Sequence, residues 1–140
     1  VPLHTTSNYD GQKTNQVGIH AFWESRIPEM LQTELEDWST PAKYLPDLQK
    51  ETWSWILASH SLVDNLLQKE AQLSQQTKPI NKYIFLKKGS LLMKTYAPTY
   101  AKAYHQSLNH QIENQFHEAV QHIGDVWYSA WLEAGQPDFK

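Results

Sequence analysis

The last third of the chain carries apolar residues at three- and four-residue spacing from about 98 to 134. Because residues at that spacing fall on one helical face, the pattern predicts a single amphipathic helix. Pro98 suits its first turn, and Gly135 suits its end. The apolar positions are Tyr104, Leu108, Ile112, Phe116, Val120, Ile123, Trp127 and Trp131. Such a helix is on the order of 55 Å long, which predicts a scaffold for a larger body than 140 residues supply.

A second long helix is predicted over about 47–76, with an inner stripe formed by Trp53, Ile56, Val63, Leu66 and Leu67. A third is predicted over 17–35, capped by Thr14 or Asn15. Pro28 lacks an N–H and is expected either to kink this helix or to start a new one.

Residues 1–16 are rich in turn formers and are interpreted as a loop. Residues 80–95 hold a short apolar stretch that is interpreted as irregular or as one helical turn, with a strand as the alternative. The predicted fold class is therefore all-α, a bundle of long helices within one domain spanning 1–140.

Charge and composition limit the function. The formal net charge is −3, which does not suggest the basic face of a protein that holds duplex nucleic acid. The chain has no cysteine, which removes disulfides and thiolate ligands. No apolar run reaches the roughly 18–20 residues of a membrane span, so no stable membrane insertion is expected. The chain opens at Val1 and is expected to derive from a longer precursor.

His20 and Glu24 stand four residues apart, so they share one face of the predicted helix. Imidazole and carboxylate are both good zinc ligands, and His4 is the expected third because a turn-rich loop lets it fold back. Three protein ligands with open positions are typical of a catalytic zinc site. The His-x-x-x-Glu spacing alone is weak evidence, because helices contain it by chance.

Three runs of sequence carry a resemblance to a known family. Pro2-Leu3-His4, the loop at 8–11 and the helix start at 18–26 resemble the zinc-dependent single-strand-specific nucleases and 3′-nucleotidases. That family shares a superfamily with bacterial zinc phospholipase C. The run at 124–131 also looks like the closing helix of bacterial members.

The resemblance implies that His4, His20 and Glu24 hold one of three zinc ions. The ligands of the other two ions lie upstream in the family and are absent here, which implies a C-terminal half whose partner is the missing N-terminal half. On this view the chain alone is inactive as an enzyme. The resemblance also implies a secreted or periplasmic protein.

The implied function is zinc-dependent phosphodiester hydrolysis of single-stranded nucleic acid or 3′-nucleotides. The alternatives are phospholipase C-type hydrolysis of phospholipid headgroups and a non-catalytic helical fragment. Glu24 leaves the substrate open, because most eukaryotic nucleases have Asp at that place. Tyr9 is the candidate for base stacking. Arg26 is a candidate for phosphate contact, with a salt bridge inside the fold as the alternative.

The remaining aromatic and titratable residues are expected to be structural. His110, Glu113 and His117 share a helix face that is interpreted as solvated, although they could bind an adventitious metal. His60 is interpreted as a hydrogen-bonded core histidine. Most of the six tryptophans are expected in the core, with Trp23 packing the metal helix. Each zinc-ligating histidine is expected to donate its second ring N–H to an oxygen acceptor.

Overall fold

The structure is a computed structural model that describes residues 1–31 and 40–138. Most of these residues are helical, and one two-stranded antiparallel sheet is present among them. The predicted helical character is therefore confirmed, whereas the strict all-α class is wrong because of the sheet.

The first described segment holds a short 3₁₀ turn and an interrupted helix. The elements are the 3₁₀ turn Pro2–Thr5, α1 (Ile19–Ala21), a π-helical turn (Phe22–Arg26) and α2 (Ile27–Leu31). The run from α1 through α2 is called the site helix below. The predicted helix over 17–35 thus begins two residues later, and its positions 32–35 lie outside the described residues.

Pro28 explains the π-helical turn. Its nitrogen has no hydrogen, so it cannot donate to the carbonyl of Glu24, as an α-helix would require. The N–H of Ile27 instead bonds to the carbonyl of Phe22, five residues earlier. The irregularity predicted from this proline therefore takes the form of a widened turn, and π-helical turns are common at functional sites.

The predicted helix over 47–76 is in fact two helices, α3 (Leu48–Ser61) and α4 (Val63–Gln76). At the break, the N–H of Leu62 bonds back to the carbonyl of Ser59, three residues earlier. The two helices pack on different partners, because α3 contacts the 3₁₀ turn and α4 contacts the helix that follows the sheet. The prediction of one long helix is wrong here because the regular helical hydrogen bonding is interrupted at Leu62.

The helix predicted over 98–134 is also broken, into α6 (Pro98–Ser107) and α7 (Gln111–Glu133). Asn109 and His110 have φ angles of 49° and 61°, the left-handed conformation that ends a helix. The apolar spacing runs across this break, so periodicity alone did not reveal it. At 23 residues, α7 is about 35 Å long rather than about 55 Å.

Residues 83–95 lie in a β-hairpin, so the strand alternative is confirmed for them, and the preferred interpretation as irregular or as one helical turn is wrong there. A short helix, α5 (Pro79–Lys82), leads into β1 (Tyr83–Lys88), which pairs antiparallel with β2 (Leu91–Tyr96). Gly89 sits in the two-residue turn with φ 63°, a conformation that glycine adopts without strain. Apolar residues on both faces of the strands concealed the alternation that normally identifies a strand.

The core lies where the site helix meets α4 and α6. Phe22 stacks on Tyr96, with ring centroids 3.8 Å apart, and on Tyr104 at 5.1 Å. Leu66 and Ile112 are also fully buried in this cluster. Because Phe22 belongs to the site helix, the core fixes the helix that carries His20 and Glu24.

The inner stripes predicted for the two long helices are only partly buried. Val63, Leu66, Tyr104, Leu108 and Ile112 are in the core. Residues near the start of the 47–76 stripe and toward the end of the 98–134 stripe are exposed: Trp53, Ile56, Val120, Ile123 and Trp127. Of the tryptophans that the structure describes, Trp23 is the one that is buried, and Trp38 lies outside the described residues. The prediction that most tryptophans form core is therefore wrong for the described residues.

Candidate metal site

Three side chains from distant parts of the chain converge at one point. The Nε2 atom of His4 lies 2.9 Å from Nε2 of His20 and 3.1 Å from Oε2 of Glu24. The same Oε2 also contacts Nε2 of His20. Among residues 1–31 and 40–138, His4, His20 and Glu24 form the group whose possible ligand atoms lie close enough together to share a metal ion.

The chemistry of this triangle fits a cation. One proton cannot satisfy three mutually adjacent atoms, because an N–H points at a single acceptor and leaves the other lone pairs facing each other. Zinc at about 2.0–2.2 Å from each atom would place neighbouring tetrahedral ligands about 3.3–3.5 Å apart. The observed separations are shorter than this, so zinc binding requires the three side chains to move apart, most of all His20 and Glu24, and His4 and Glu24 are accessible to solvent.

The 3₁₀ turn holds His4 in place through its neighbours. Pro2 and Leu3 are buried, and the N–H of His4 bonds to the carbonyl of Val1 at 3.1 Å. The hydroxyl of Thr5 bonds to the carbonyl of Pro2 and contacts Nδ1 of His60 at 2.9 Å. Burial of the two apolar residues anchors the turn to the core, which leaves the His4 ring free to face the site helix.

His60 is exposed rather than buried, so its interpretation as a core histidine is wrong, although it is hydrogen-bonded as expected. It lies in α3 and touches the turn that carries His4. The one-dimensional pattern did not reveal this pairing, because Thr5 and His60 are 55 residues apart.

A tightly bonded loop returns the chain from His4 to the site helix. The side chain of Asn8 is buried, accepts the N–H of Lys13 at 2.8 Å and donates to the Thr14 hydroxyl at 3.0 Å. The carbonyl of Gly11 accepts the N–H of Gln16 at 2.9 Å. Gly11 has φ 69°, and a Cβ there would lie 2.5 Å from the Gln16 carbonyl oxygen. The loop therefore requires glycine at this position.

Asp10 joins the loop to the start of the site helix. Its Oδ1 accepts the backbone N–H of Gly18 at 3.1 Å and of His20 at 3.3 Å. These are N–H groups that the first helical turn leaves without partners. The capping carboxylate thus comes from Asp10, not from the expected Thr14 or Asn15, because the loop folds back over the helix end. Sequence reasoning missed Asp10, since eight residues separate it from Gly18.

Tyr9 lies against both histidines of the site. Its ring centroid is 4.1 Å from that of His20 and 5.5 Å from that of His4, and the tyrosine remains partly exposed. The ring therefore limits the orientations of the two imidazoles and presents apolar surface beside them. Tyr9, the residue that the sequence suggested for base stacking, thus lies next to the three converging side chains.

Arg26 lies apart from His4, His20 and Glu24. Its Nη1 is 3.9 Å from Oε2 of Glu29, and its Nε is buried without a hydrogen-bond partner among the described residues. The side chain lines a pocket of about 290 Å³ together with Tyr83, Lys94 and Tyr96 of the hairpin. None of the three converging ligands lines this pocket, so Arg26 is separate from their cluster.

A second pocket adjoins the cluster at His4. It measures about 410 Å³, and its wall includes the rings of Trp55 and His122, which stack with centroids 4.0 Å apart. Burial lowers the pKa of His122 despite the nearby carboxylates of Glu118 and Asp125. Sequence reasoning assigned no role to His122, because its partner is on another helix.

A buried hydrogen-bond network around Glu70 holds the end of this loop. Glu70 in α4 accepts hydrogen bonds from Lys82 Nζ at 2.7 Å, from the Tyr100 hydroxyl at 2.8 Å and from Gln16 Nε2 at 2.7 Å. Burial alone would raise the pKa of Glu70, but these three bonds outweigh it and lower the pKa below 4.5. Glu70 therefore stays charged at neutral pH and ties the loop, α4 and the hairpin base together.

Two further expectations differ from the structure. Among the described residues, Nδ1 of neither His4 nor His20 has a hydrogen-bond partner, so the expected second ring N–H bonds are not made there. Glu113 pairs with His105 Nε2 at 3.0 Å and with His110 Nδ1 at 3.4 Å. The face interpreted as solvated therefore contains a half-buried contact between Glu113 and His105, a partner for His105 that the sequence did not reveal.

Among the described residues, no helix combines the length and hydropathy needed to cross a bilayer. Comparisons with protein-family models, with curated proteins and with solved structures found no match for the chain.

Proposed function

We propose that this chain supplies a zinc site to a phosphodiesterase that acts on single-stranded nucleic acid or 3′-nucleotides. The convergence of His4 Nε2, His20 Nε2 and Glu24 Oε2, from two segments of the chain, carries the proposal. The resemblance of the runs 2–4, 8–11 and 18–26 to zinc-dependent nucleases supports the choice of metal and of reaction.

The charge of the donor set suits an anionic substrate. Two neutral imidazoles and one carboxylate leave a net charge of about +1 on a bound divalent zinc ion, with coordination positions free. Zinc bound in this way polarises a phosphoryl oxygen and stabilises the charge that develops on it. His4, half-exposed beside its pocket, leaves the site open to an approaching phosphate.

The surroundings favour a substrate with an aromatic base. Tyr9 presents an exposed ring next to the ligands, and Trp55 and His122 line the adjoining pocket. Base–aromatic stacking is worth about 1–3 kcal/mol per base and requires bases free of a duplex. These rings therefore favour single strands and nucleotides over double helices.

The proposed site is one part of a larger centre. The family resemblance implies a pair of further zinc ions held by an N-terminal half, and the ligands of that pair are not in this chain. Residues 1–140 alone are therefore expected to bind zinc without hydrolysing phosphodiesters.

Elemental analysis of the purified chain after dialysis against micromolar zinc tests the metal site. One zinc ion per chain is expected, and absence of zinc would refute the proposal. Hydrolysis is then measured on denatured DNA, a 3′-nucleotide and phosphatidylcholine, for residues 1–140 and for a longer protein that includes the upstream ligands. Turnover by residues 1–140 alone would contradict the partial centre. Turnover of phosphatidylcholine alone by the longer protein would replace the nucleic acid substrate with a phospholipid.

A further inference from the structure

The β-hairpin exposes apolar side chains on both of its faces. By the strand register, Phe85 and Leu92 lie on one face, and Leu86, Leu91 and Met93 lie on the other. All five are exposed. Monomeric soluble proteins rarely show contiguous apolar surface of this kind unless it contacts a partner or a membrane.

The same part of the chain carries a local positive charge that the overall charge of −3 conceals. Residues 71–112 contain no Asp or Glu, whereas six lysines lie within 78–102. Lys82 is paired with Glu70, but Lys78, Lys87, Lys94 and Lys102 are exposed. The hairpin thus combines exposed apolar side chains with the exposed cations of Lys87 and Lys94.

The order of residues along the hairpin indicates how it meets a partner. Lys94 pairs with Phe85 and Lys87 pairs with Leu92, so both lysines lie on the face that carries these two apolar residues. Each strand is about 20 Å long. A hairpin that interleaves lysines with exposed apolar side chains suits the boundary between lipid headgroups and hydrocarbon, because a lysine stem packs on apolar surface while its charge reaches the polar region.

The base of the hairpin also combines aromatic side chains with cations. Tyr83 and Tyr96 face each other there, and tyrosine is enriched at the boundary between hydrocarbon and water in membrane-bound proteins. The pocket beside them contains the cations of Arg26 and Lys94, and no carboxylate lines it. A phosphate headgroup fits this combination of two cations and aromatic rings.

We propose that the hairpin docks the protein onto the surface of an anionic lipid bilayer, with Phe85, Leu86, Leu91, Leu92 and Met93 in the interfacial region and the lysines on lipid phosphates. Nucleic acid would use the lysines but would leave the aliphatic residues Leu86, Leu91 and Leu92 exposed to water. A bilayer satisfies the apolar and the cationic surfaces together, and for this reason it is the favoured partner.

Co-sedimentation with vesicles tests the proposal. The full chain is mixed with phosphatidylcholine vesicles containing 30% phosphatidylserine (about a third anionic lipid), and with pure phosphatidylcholine vesicles. The variants are L91S/L92S and K87Q/K94Q. Two further variants are controls. L57S/I123S removes exposed apolar side chains outside the hairpin, and Leu57 matches Leu91 in exposure at 65% and 66%. K50Q/K69Q removes two lysines outside the hairpin. Circular dichroism checks that every variant keeps its helices.

Binding to anionic vesicles, and weaker binding to neutral ones, is expected for the unaltered chain. Each lysine near an anionic surface is worth about 1 kcal/mol, so K87Q/K94Q should weaken vesicle binding at least about tenfold. L91S/L92S should do so to a similar extent, and the two controls should not. Equal binding by all variants, or no vesicle binding, would overturn the proposal. Hairpin-dependent binding of a labelled oligothymidine without vesicle binding would replace it with a nucleic acid surface.

Discussion

The Nε2 atoms of His4 and His20 lie 2.9 Å apart although sixteen positions separate the two residues in the chain. Loop closure of this length is unfavourable in entropy, so other interactions must hold the segment. Burial of Leu3, the bonds of Asn8 and the cap from Asp10 supply them. The site is therefore preorganised by residues that do not themselves belong to the ligand set.

Replacement of His20 tests the ligand set directly. His20→Ala should weaken zinc binding by about 100-fold or more, because it removes a direct ligand. Loss of a residue that only supports a ligand already lowers metal affinity by about 10–100-fold. His110→Ala is the control, since that side chain is 77% exposed and lies outside the converging group. Isothermal titration with zinc measures both. Equal affinity in the two variants would exclude His20 as a ligand.

Two aspartates that cap helices make it possible to distinguish an effect on zinc affinity from an effect on overall stability. Asp10 caps the site helix, and Asp47 caps α3 through the N–H of Lys50. Each change to alanine should lower the free energy of unfolding by about 1 kcal/mol. Asp10→Ala should in addition weaken zinc binding about tenfold, because it releases the helix end that carries His20. If Asp47→Ala weakens zinc equally, the cap has no specific role in the site.

Two glycines with similar backbone conformation differ in their surroundings. Gly11 and Gly89 have φ angles of 69° and 63°, but an added Cβ meets the Gln16 carbonyl only at Gly11 and has open space at Gly89. Gly89→Ala should cost about 1 kcal/mol from the left-handed conformation alone. Gly11→Ala should cost about 1–3 kcal/mol more, from the clash, and should also weaken zinc binding. Chemical denaturation compares the two, and indistinguishable midpoints would contradict the loop geometry.

Glu70 is expected to contribute strongly to stability. Because it is buried and bonded to Lys82, Glu70→Gln should leave the ammonium without its charged partner and cost about 3 kcal/mol of unfolding free energy. The matched change Glu29→Gln, at a side chain 70% exposed, should alter it by less than about 0.5 kcal/mol. Thermal unfolding followed by circular dichroism measures both changes.

Glu70 also predicts a pH dependence. Its folded-state pKa lies below the unfolded value near 4.5, so the unfolded chain binds the proton more readily. The stability from this carboxylate is therefore fully present above about pH 4.5 and is lost as the pH falls through the lower, folded-state pKa. The loss between pH 5 and 3 should be smaller in Glu70→Gln. Parallel pH profiles for the two proteins would show that Glu70 is not responsible.

The sequence by itself determined the parts that depend on local spacing. His20 and Glu24 share a helical face because they stand four residues apart, and the irregularity near Pro28 follows from its missing N–H. The helical character of α4, α6 and α7 follows from the apolar repeat, which depends only on the helical period.

The tertiary structure alone decided which residues support the site and where the long helices break. Asp10 and His60 act through partners that are distant in the chain, and no local pattern encodes such pairs. The repeat continues through Leu62 and Asn109 because it reports only which residues are apolar. The breaks lie in the backbone, as a hydrogen bond over three residues at Leu62 and as left-handed φ angles at Asn109 and His110. For the same reason the sequence did not distinguish a buried from an exposed tryptophan, since burial depends on the element that covers it.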